Sequence, residues 1–170
     1  MDLTVRHAEA GEAPELAALH VRVWRATYGG LAPQVALHTL DEAKRLPVWE
    51  AAIAEQRARV ATHGDTIIAA ACFGPSTHAA FDGRCEIKHL YVDLVHQGHG
   101  VGQRLLSATL KACRVGFPER GVALAVVRQN DAARAFYKRQ GGAEIATFTD
   151  PGPLWRSDNI VVAWDEAPFP

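Results

Sequence analysis

No stretch of this sequence is apolar for long enough to span a bilayer. The longest purely apolar run, residues 67–73, is of strand length, against the roughly 18–20 residues a membrane core requires. Residues 1–7 also lack the basic stretch followed by an apolar run that marks an export signal, so a cytoplasmic protein is expected. Charge of one sign is missing as well. Eighteen Lys and Arg stand against 19 Asp and Glu, a formal net charge of -1. No basic field is left to hold nucleic acid or an anionic membrane surface. Cysteine is scarce: Cys72, Cys85 and Cys113 are odd in number and show no C-x-x-C spacing. That argues against a disulfide framework and a zinc ribbon, and for reduced, buried thiols. No repeat, low-complexity tract or Gly/Ser linker interrupts the chain. With 48% hydrophobic and 22% charged residues, positions 1–170 are expected to form one globular domain.

The patterning predicts a mixed α/β domain. A short strand is expected over 3–6 and a helix over 12–27, whose apolar stripe uses Leu16, Val21 or His20, Val23 and Trp24. Tyr28-Gly29-Gly30 stops that helix. A second helix is expected over 41–57, with Pro47 interrupting it or opening its second half. Strands over 59–62 and 66–73 flank the turn-like His63-Gly64-Asp65, and another strand is expected over 85–93. Val101, Leu105, Leu106, Leu110 and Cys113 then fall on one helical face. Residues 122–127 read as a strand buried on both faces. Asn130-Asp131 offers capping side chains to a helix over 132–140 that Gly141-Gly142 ends, and strands over 143–148 and 159–164 close the chain.

The most informative stretch is Gln97-Gly98-His99-Gly100-Val101-Gly102, between a strand and a helix. Glycines let a ligand approach the backbone, and the first amides of a helix have no intrahelical partners, so the loop suits a phosphate. A Walker loop would need Gly-Lys-Ser/Thr, which is absent. A dinucleotide fingerprint would need glycine where Gln103 stands. Three glycines alone are equally a tight strand-to-helix turn.

The surroundings decide between these readings. Cys85-Glu86-Ile87-Lys88-His89-Leu90-Tyr91-Val92-Asp93, followed four residues on by Gln97-Gly98-His99-Gly100-Val101-Gly102-Gln103-Arg104, resembles the acetyl-CoA-binding motif of the GCN5-related N-acetyltransferase (GNAT) family. Its Gln/Arg-x-x-Gly-x-Gly/Ala signature is met at Gln97, Gly100 and Gly102, and its Leu-x-Val strand end at Leu90-Tyr91-Val92. Asn130-Asp131-Ala132-Ala133-Arg134-Ala135-Phe136-Tyr137, then Gly141, resembles the second cofactor motif. Trp24, Tyr28-Gly29 and Pro33 resemble the N-terminal helix and loop of many bacterial members. The sequence departs from the pattern at Gly142, where the family commonly carries an aromatic residue.

The resemblance implies a single-domain α/β fold: a mixed, mostly antiparallel sheet flanked by helices. It implies acetyl-CoA as co-substrate. Leu90, Tyr91, Val92, Gln97, Gly98, His99, Gly100, Val101, Gly102, Gln103, Asn130, Arg134 and Tyr137 would line the cofactor, with loop amides on its pyrophosphate and the Leu90–Val92 backbone along its pantetheine. A strand amide would face the oxyanion. The implied reaction is direct attack of an amine on the thioester in a ternary complex. Tyr137 would protonate the departing thiolate, and Glu86 is the leading candidate for the base, with His89, read as facing the opposite side of the strand, as the alternative. The plainer readings are a core aromatic at Tyr137 and a solvated carboxylate at Glu86. Water-relayed deprotonation without one essential base stays open. Trp24, Tyr28 and Trp155 would flank the acceptor, with Asp150 or Asp158 attracting a cationic amine and Trp24 doubling as core. His96 and His99 with His89 are the densest histidine group, but no H-E-x-x-H accompanies them, and no metal is expected. The partner is thus a small-molecule or peptide amine, and a homodimer is compatible with the sequence. The rival class is a non-catalytic acyl-CoA-binding sensor or interaction module on the same fold.

Overall fold

A continuous apolar run and a two-residue turn build the first hairpin of the computed structural model, which describes residues 2–166. β2 (Ala58–His63) and β3 (Thr66–Pro75) pair antiparallel, with Val60 opposite Ala70 and His63 opposite Thr66. The turn is therefore Gly64-Asp65, and Gly64 takes the left-handed φ of +58° that the reversal needs. β1 (Leu3–His7) adds to the outer side of β2. The full sheet has seven strands in the order β1-β2-β3-β4-β5-β7-β6, with β4 (Cys85–Val92), β5 (Val122–Val127), β6 (Ala143–Asp150) and β7 (Ser157–Trp164). Only β4 and β5 run parallel. The sheet is mixed and mostly antiparallel, as expected.

Helices cover both faces. α4 (Val101–Gly116) and α5 (Asp131–Arg139) lie on one face, where Leu106, Leu110, Cys113 and Tyr137 pack against Cys85, Ile87, Val122, Val126, Val162 and Trp164. Each fully buried Leu or Val contributes about 1.5–3 kcal/mol, and Leu105, Leu106 and Leu110 are all 0% exposed. α1 (Ala13–Tyr28) and α3 (Glu42–Ala54) cover the opposite face through Leu16, Leu19, Val23 and Trp49.

Several boundaries differ from the sequence reading. α3 runs unbroken through Pro47, which removes one backbone bond, while the fully buried Trp49 anchors the helix. A short α2 (Gln34–Thr39) follows Pro33 in a segment the sequence left unassigned. β6 extends to Asp150, so the β6–β7 connection shrinks to residues 151–156.

Two irregularities in β4 make the site. Cys72 of β3 pairs with His89, but its neighbour Phe73 pairs with Ile87, so Lys88 is an extra residue in the ladder. A bulge of this kind reverses the in-out parity of everything beyond it. Glu86 is opposite Gly74 and His89 opposite Cys72, two positions of one β3 face, so Glu86 and His89 share the face covered by α1 and α3. This corrects the alternation-based expectation that they face opposite ways. The second irregularity is a parting of strands. β4 pairs with β5 only at Cys85↔Val122 and Glu86↔Ala123, and beyond these the strands diverge into a wedge.

Candidate active site

The loop from β4 to α4 forms the mouth of the wedge. Gly98 and Gly100 take φ of +78° and +79°, conformations that L side chains resist, and a Cβ on either would meet no atom within 4 Å. They are needed for the backbone's shape, and the space above them is open. Gly102 is different: a Cβ there would sit 3.4 Å from the Phe136 ring and 3.5 Å from Val92 Cγ2. Gln97 Nε2 donates to the Val92 carbonyl at 3.0 Å, tying the loop to the strand end, and His99 Nδ1 lies 2.8 Å from the Gln97 carbonyl.

Among the described residues, the amides of Gly98, His99, Gly100, Val101, Gly102 and Gln103 donate to no backbone carbonyl; Arg104, to Gly100, is the first of the helix that does. Gln97, Gly98, His99, Gly100 and Gln103 are exposed, while Val101 is buried and plugs the start of the helix into the core. Six N–H groups without a backbone acceptor gather at the positive end of a sixteen-residue helix, an arrangement suited to an anion.

The far wall of the wedge is α5. Asn130 caps it, its Oδ1 accepting from the Ala133 amide at 3.2 Å. Tyr137 is 9% exposed, with Phe136 at 5.2 Å and Trp164 at 6.0 Å between ring centroids. Burial, with Tyr28 nearby, pushes its phenol above the ordinary range, so it is firmly protonated at neutral pH. Arg134 turns to Glu144 of β6 at 2.8 Å, to Asp131 at 3.6 Å and to the Arg128 carbonyl.

The third wall brings together α1, α2 and the β6–β7 connection. Tyr28 lies 5.2 Å from Trp24 and 6.2 Å from Trp155 by ring centroid, and all three join a cluster with Leu37, Leu154 and Tyr91. Trp24 is 7% exposed and belongs to the core of that cluster, whereas Tyr28 and Trp155 are half-buried. Burial raises the Tyr28 pKa, opposed by a hydrogen bond with Asn130 that crosses from α1 to the α5 cap. Tyr91 is raised by burial and then by Tyr28 and Tyr137, so these phenols from three elements share one site. Asp150 and Asp158 stabilise their own loop: Asp150 Oδ1 accepts from the Gly152 amide at 3.0 Å and Asp158 Oδ1 from Thr149 at 2.8 Å.

Glu86 is half-buried at the foot of the wedge, at the last β4–β5 pair. His89 lies beside two residues that pattern reading did not single out as functional. His20 of α1 is 2% exposed, its ring centroid is 4.6 Å from that of His89, and its Nδ1 accepts from Trp49 Nε1 at 3.3 Å. Their partnership depends on how α1 and α3 pack on β4, which no local motif announces. The histidine group of the sequence does not assemble: His89 packs under α1, while His96 lies 6.5 Å from His63. Among the described residues no three His, Cys, Asp or Glu converge to hold a metal ion, and no helix is long and apolar enough to cross a membrane.

A mixed sheet parted between its parallel strands, with an amide cradle at the mouth, defines the class of the acyl-CoA-dependent N-acyltransferases. Residues 21–142 match the family model described as the acetyltransferase (GNAT) family, and the chain belongs to that family. It is 29% identical over 146 residues to a probable N-acetyltransferase of Mycobacterium tuberculosis, covering 82% of this chain and 79% of the relative. Among solved structures, PaiA N-acetyltransferase of Thermoplasma acidophilum in complex with coenzyme A shares the fold with a TM-score of 0.74 at 17% identity, over 98% of this chain and 100% of that one. YncA of Salmonella typhimurium with acetyl-CoA likewise reaches 0.74 at 22% identity, over 100% of this chain and 98% of its own.

Proposed function

We propose that the protein transfers the acetyl group of acetyl-CoA to the primary amine of a small molecule or peptide by direct attack in a ternary complex. The observation that carries this reading is the run of six unpaired amides at the head of α4, beside a wedge whose walls are the free edges of β4 and β5. The cradle takes the pyrophosphate, and the pantetheine lies in the wedge as an added strand along Leu90, Tyr91 and Val92. A β4 amide faces the oxyanion of the tetrahedral adduct.

Tyr137 is the acid. Its phenol stays protonated at neutral pH and gives its proton to the thiolate as the C–S bond breaks. Glu86 draws in the acceptor, which arrives as an ammonium because an alkylamine has a pKa near 10, and accepts the proton that must leave before attack. Tyr28 and Trp155 form the acceptor wall, with Trp24 behind them. No step needs a metal. The family assignment, the relatives' bound cofactors and the reduced thiols support acetyl-CoA chemistry in the cytoplasm.

The test is calorimetric titration with acetyl-CoA, followed by a thiol-release assay over a panel of primary amines. Binding with amine-dependent CoA release is expected. Binding without release from any amine would make the protein an acyl-CoA sensor, and absence of binding would overturn the reading.

A further inference from the structure

An ammonium acceptor loses two protons on its way to an amide, one before it attacks and one from the positively charged nitrogen of the adduct. A single carboxylate that has taken the first is not free to take the second. The bulge at Lys88 puts a second group within the same site. With parity reversed there, Glu86, His89 and Tyr91 form a row on one face of β4. Tyr91 Oη lies 3.5 Å from His89 Nδ1, with the rings 5.8 Å apart and near parallel. Distances of this kind between catalytic groups commonly tighten when substrate binds.

What surrounds the pair keeps His89 an acceptor. From α1, His20 packs 4.6 Å from His89 and 4.4 Å from Tyr91, and Tyr28 faces Tyr91. From α3 come Trp49, 6.1 Å from His89, and the positive charge of Arg45; from β3, Cys72; from β4 itself, Lys88; and from α5, Tyr137. The Trp49 bond fixes the His20 proton on Nε2. Burial, with His89 and Arg45 close by, brings His20 down to about 2, so it stays neutral and puts no opposing charge beside its neighbour. Burial and the charges of Arg45 and Lys88 bring His89 down to about 4. At neutral pH it is an unprotonated base of about carboxylate strength.

Resting on the transferase reading above, we propose that Tyr91 and His89 remove the second proton, the one left on nitrogen after the C–N bond has formed. The amine lone pair attacks the thioester carbon and the carbonyl electrons move to oxygen. An N–H proton then passes to Tyr91 Oη as the Tyr91 proton passes to His89 Nδ1. The adduct collapses with cleavage of the C–S bond and the thiolate takes the Tyr137 proton; Glu86 and His89 then give up the two protons they hold, one restoring Tyr137 through solvent and one left to water. Tyr91 is the catalytic residue of the pair and His89 the acceptor behind it.

The experiment compares His89→Gln, Tyr91→Phe and the double variant, with kcat and acceptor KM measured separately and acetyl-CoA affinity measured by calorimetry. Each single change is expected to lower kcat about 10²-fold, leaving acceptor KM and acetyl-CoA affinity within about twofold. The double variant should be no slower than the worse single, because both interrupt one path. Tyr91→Phe keeps the packing ring and so serves even if His89→Gln folds poorly. Wild-type kcat in either folded variant, or losses that multiply in the double, overturns the relay alone. A wild-type protein that binds acetyl-CoA but releases no CoA with any amine overturns the transferase reading and the relay with it.

Discussion

Trp164 stands where any side chain at position 142 would have to go. A Cβ on Gly142 would lie 2.8 Å from Trp164 Cζ2 and 2.5 Å from Val162 Cγ1, while the indole donates to the Gln140 carbonyl at 2.9 Å. At this position, where the family resemblance leads one to expect an aromatic residue, the space beside the backbone is taken by the Trp164 ring and Val162 of β7. Gly142→Ala should therefore destabilise by about 1–3 kcal/mol through overpacking, lowering Tm by roughly 2–12 °C. Thermal unfolding measures it, and an unchanged Tm would mean that β7 yields freely.

Gly100→Val separates shape from space in the cradle. No atom stands within 4 Å of its Cβ, but its φ of +79° is hostile to a β-branched residue. The fold should survive, with cooperative unfolding retained, while acetyl-CoA binds at least tenfold more weakly in a calorimetric titration. Unchanged affinity in the folded variant would move the pyrophosphate elsewhere.

Tyr137→Phe retains the ring packed against Phe136 and Trp164 and removes only the acidic proton. kcat should fall roughly 10²-fold with acetyl-CoA affinity preserved. Because burial raises this phenol's pKa, wild-type kcat should show no fall from Tyr137 ionisation below about pH 10. Wild-type turnover in the variant would return Tyr137 to the core.

His20 and His89 together predict acid sensitivity. Both are lowered, to about 2 and about 4, so between those values and their unfolded pKa near 6.5 only the unfolded chain takes up protons there. Stability from these groups is present above pH 6.5 and is lost as pH falls. For His20 alone the loss is on the order of 2 kcal/mol by pH 5. His20→Gln keeps an acceptor for Trp49 Nε1 and cannot titrate. Urea midpoints at pH 7 and pH 5 should differ less in this variant than in the wild type.

Tyr28→Ala and Trp155→Ala should raise the acceptor KM several-fold and leave the acetyl-CoA KM nearly unchanged, since both side chains are half-buried on the wall proposed for the acceptor. Trp24→Ala should instead cost about 3–5 kcal/mol of stability as a core truncation. Loss of stability with normal acceptor kinetics at Tyr28 and Trp155 would make them structural as well.

The parts of the fold written in short-range patterns were legible. The α4 stripe repeats at helical spacing, Gly64 marks a hairpin, and the glycines at 98, 100 and 102 announce a loop whose backbone matters. The bulge was not, because Lys88 carries no Gly or Pro signal. Its presence is decided by how β4 fits β3, and one extra residue was enough to reverse where His89 points. α2 is too short to show a period. The meeting of His20 with Trp49, or of Tyr28 with Asn130, joins elements far apart in the chain and exists only once helices have packed.

The parting of β4 from β5 leaves the two parts of the sheet joined at a narrow seam. Four strands on one side and three on the other are joined by two ladder positions, and α4 acts as the pin: Leu105 packs with the β1–β3 side and Leu106 and Leu110 reach the β5–β7 side. The free chain should breathe along this seam, with amides that point into it exchanging early with solvent. A pantetheine lying in the seam would bridge the two halves, and ligand at 100 times its Kd adds about 2.7 kcal/mol to the folded state. The protein leaves its own sheet unfinished, and its lifetime in a cell should follow the supply of the molecule that finishes it.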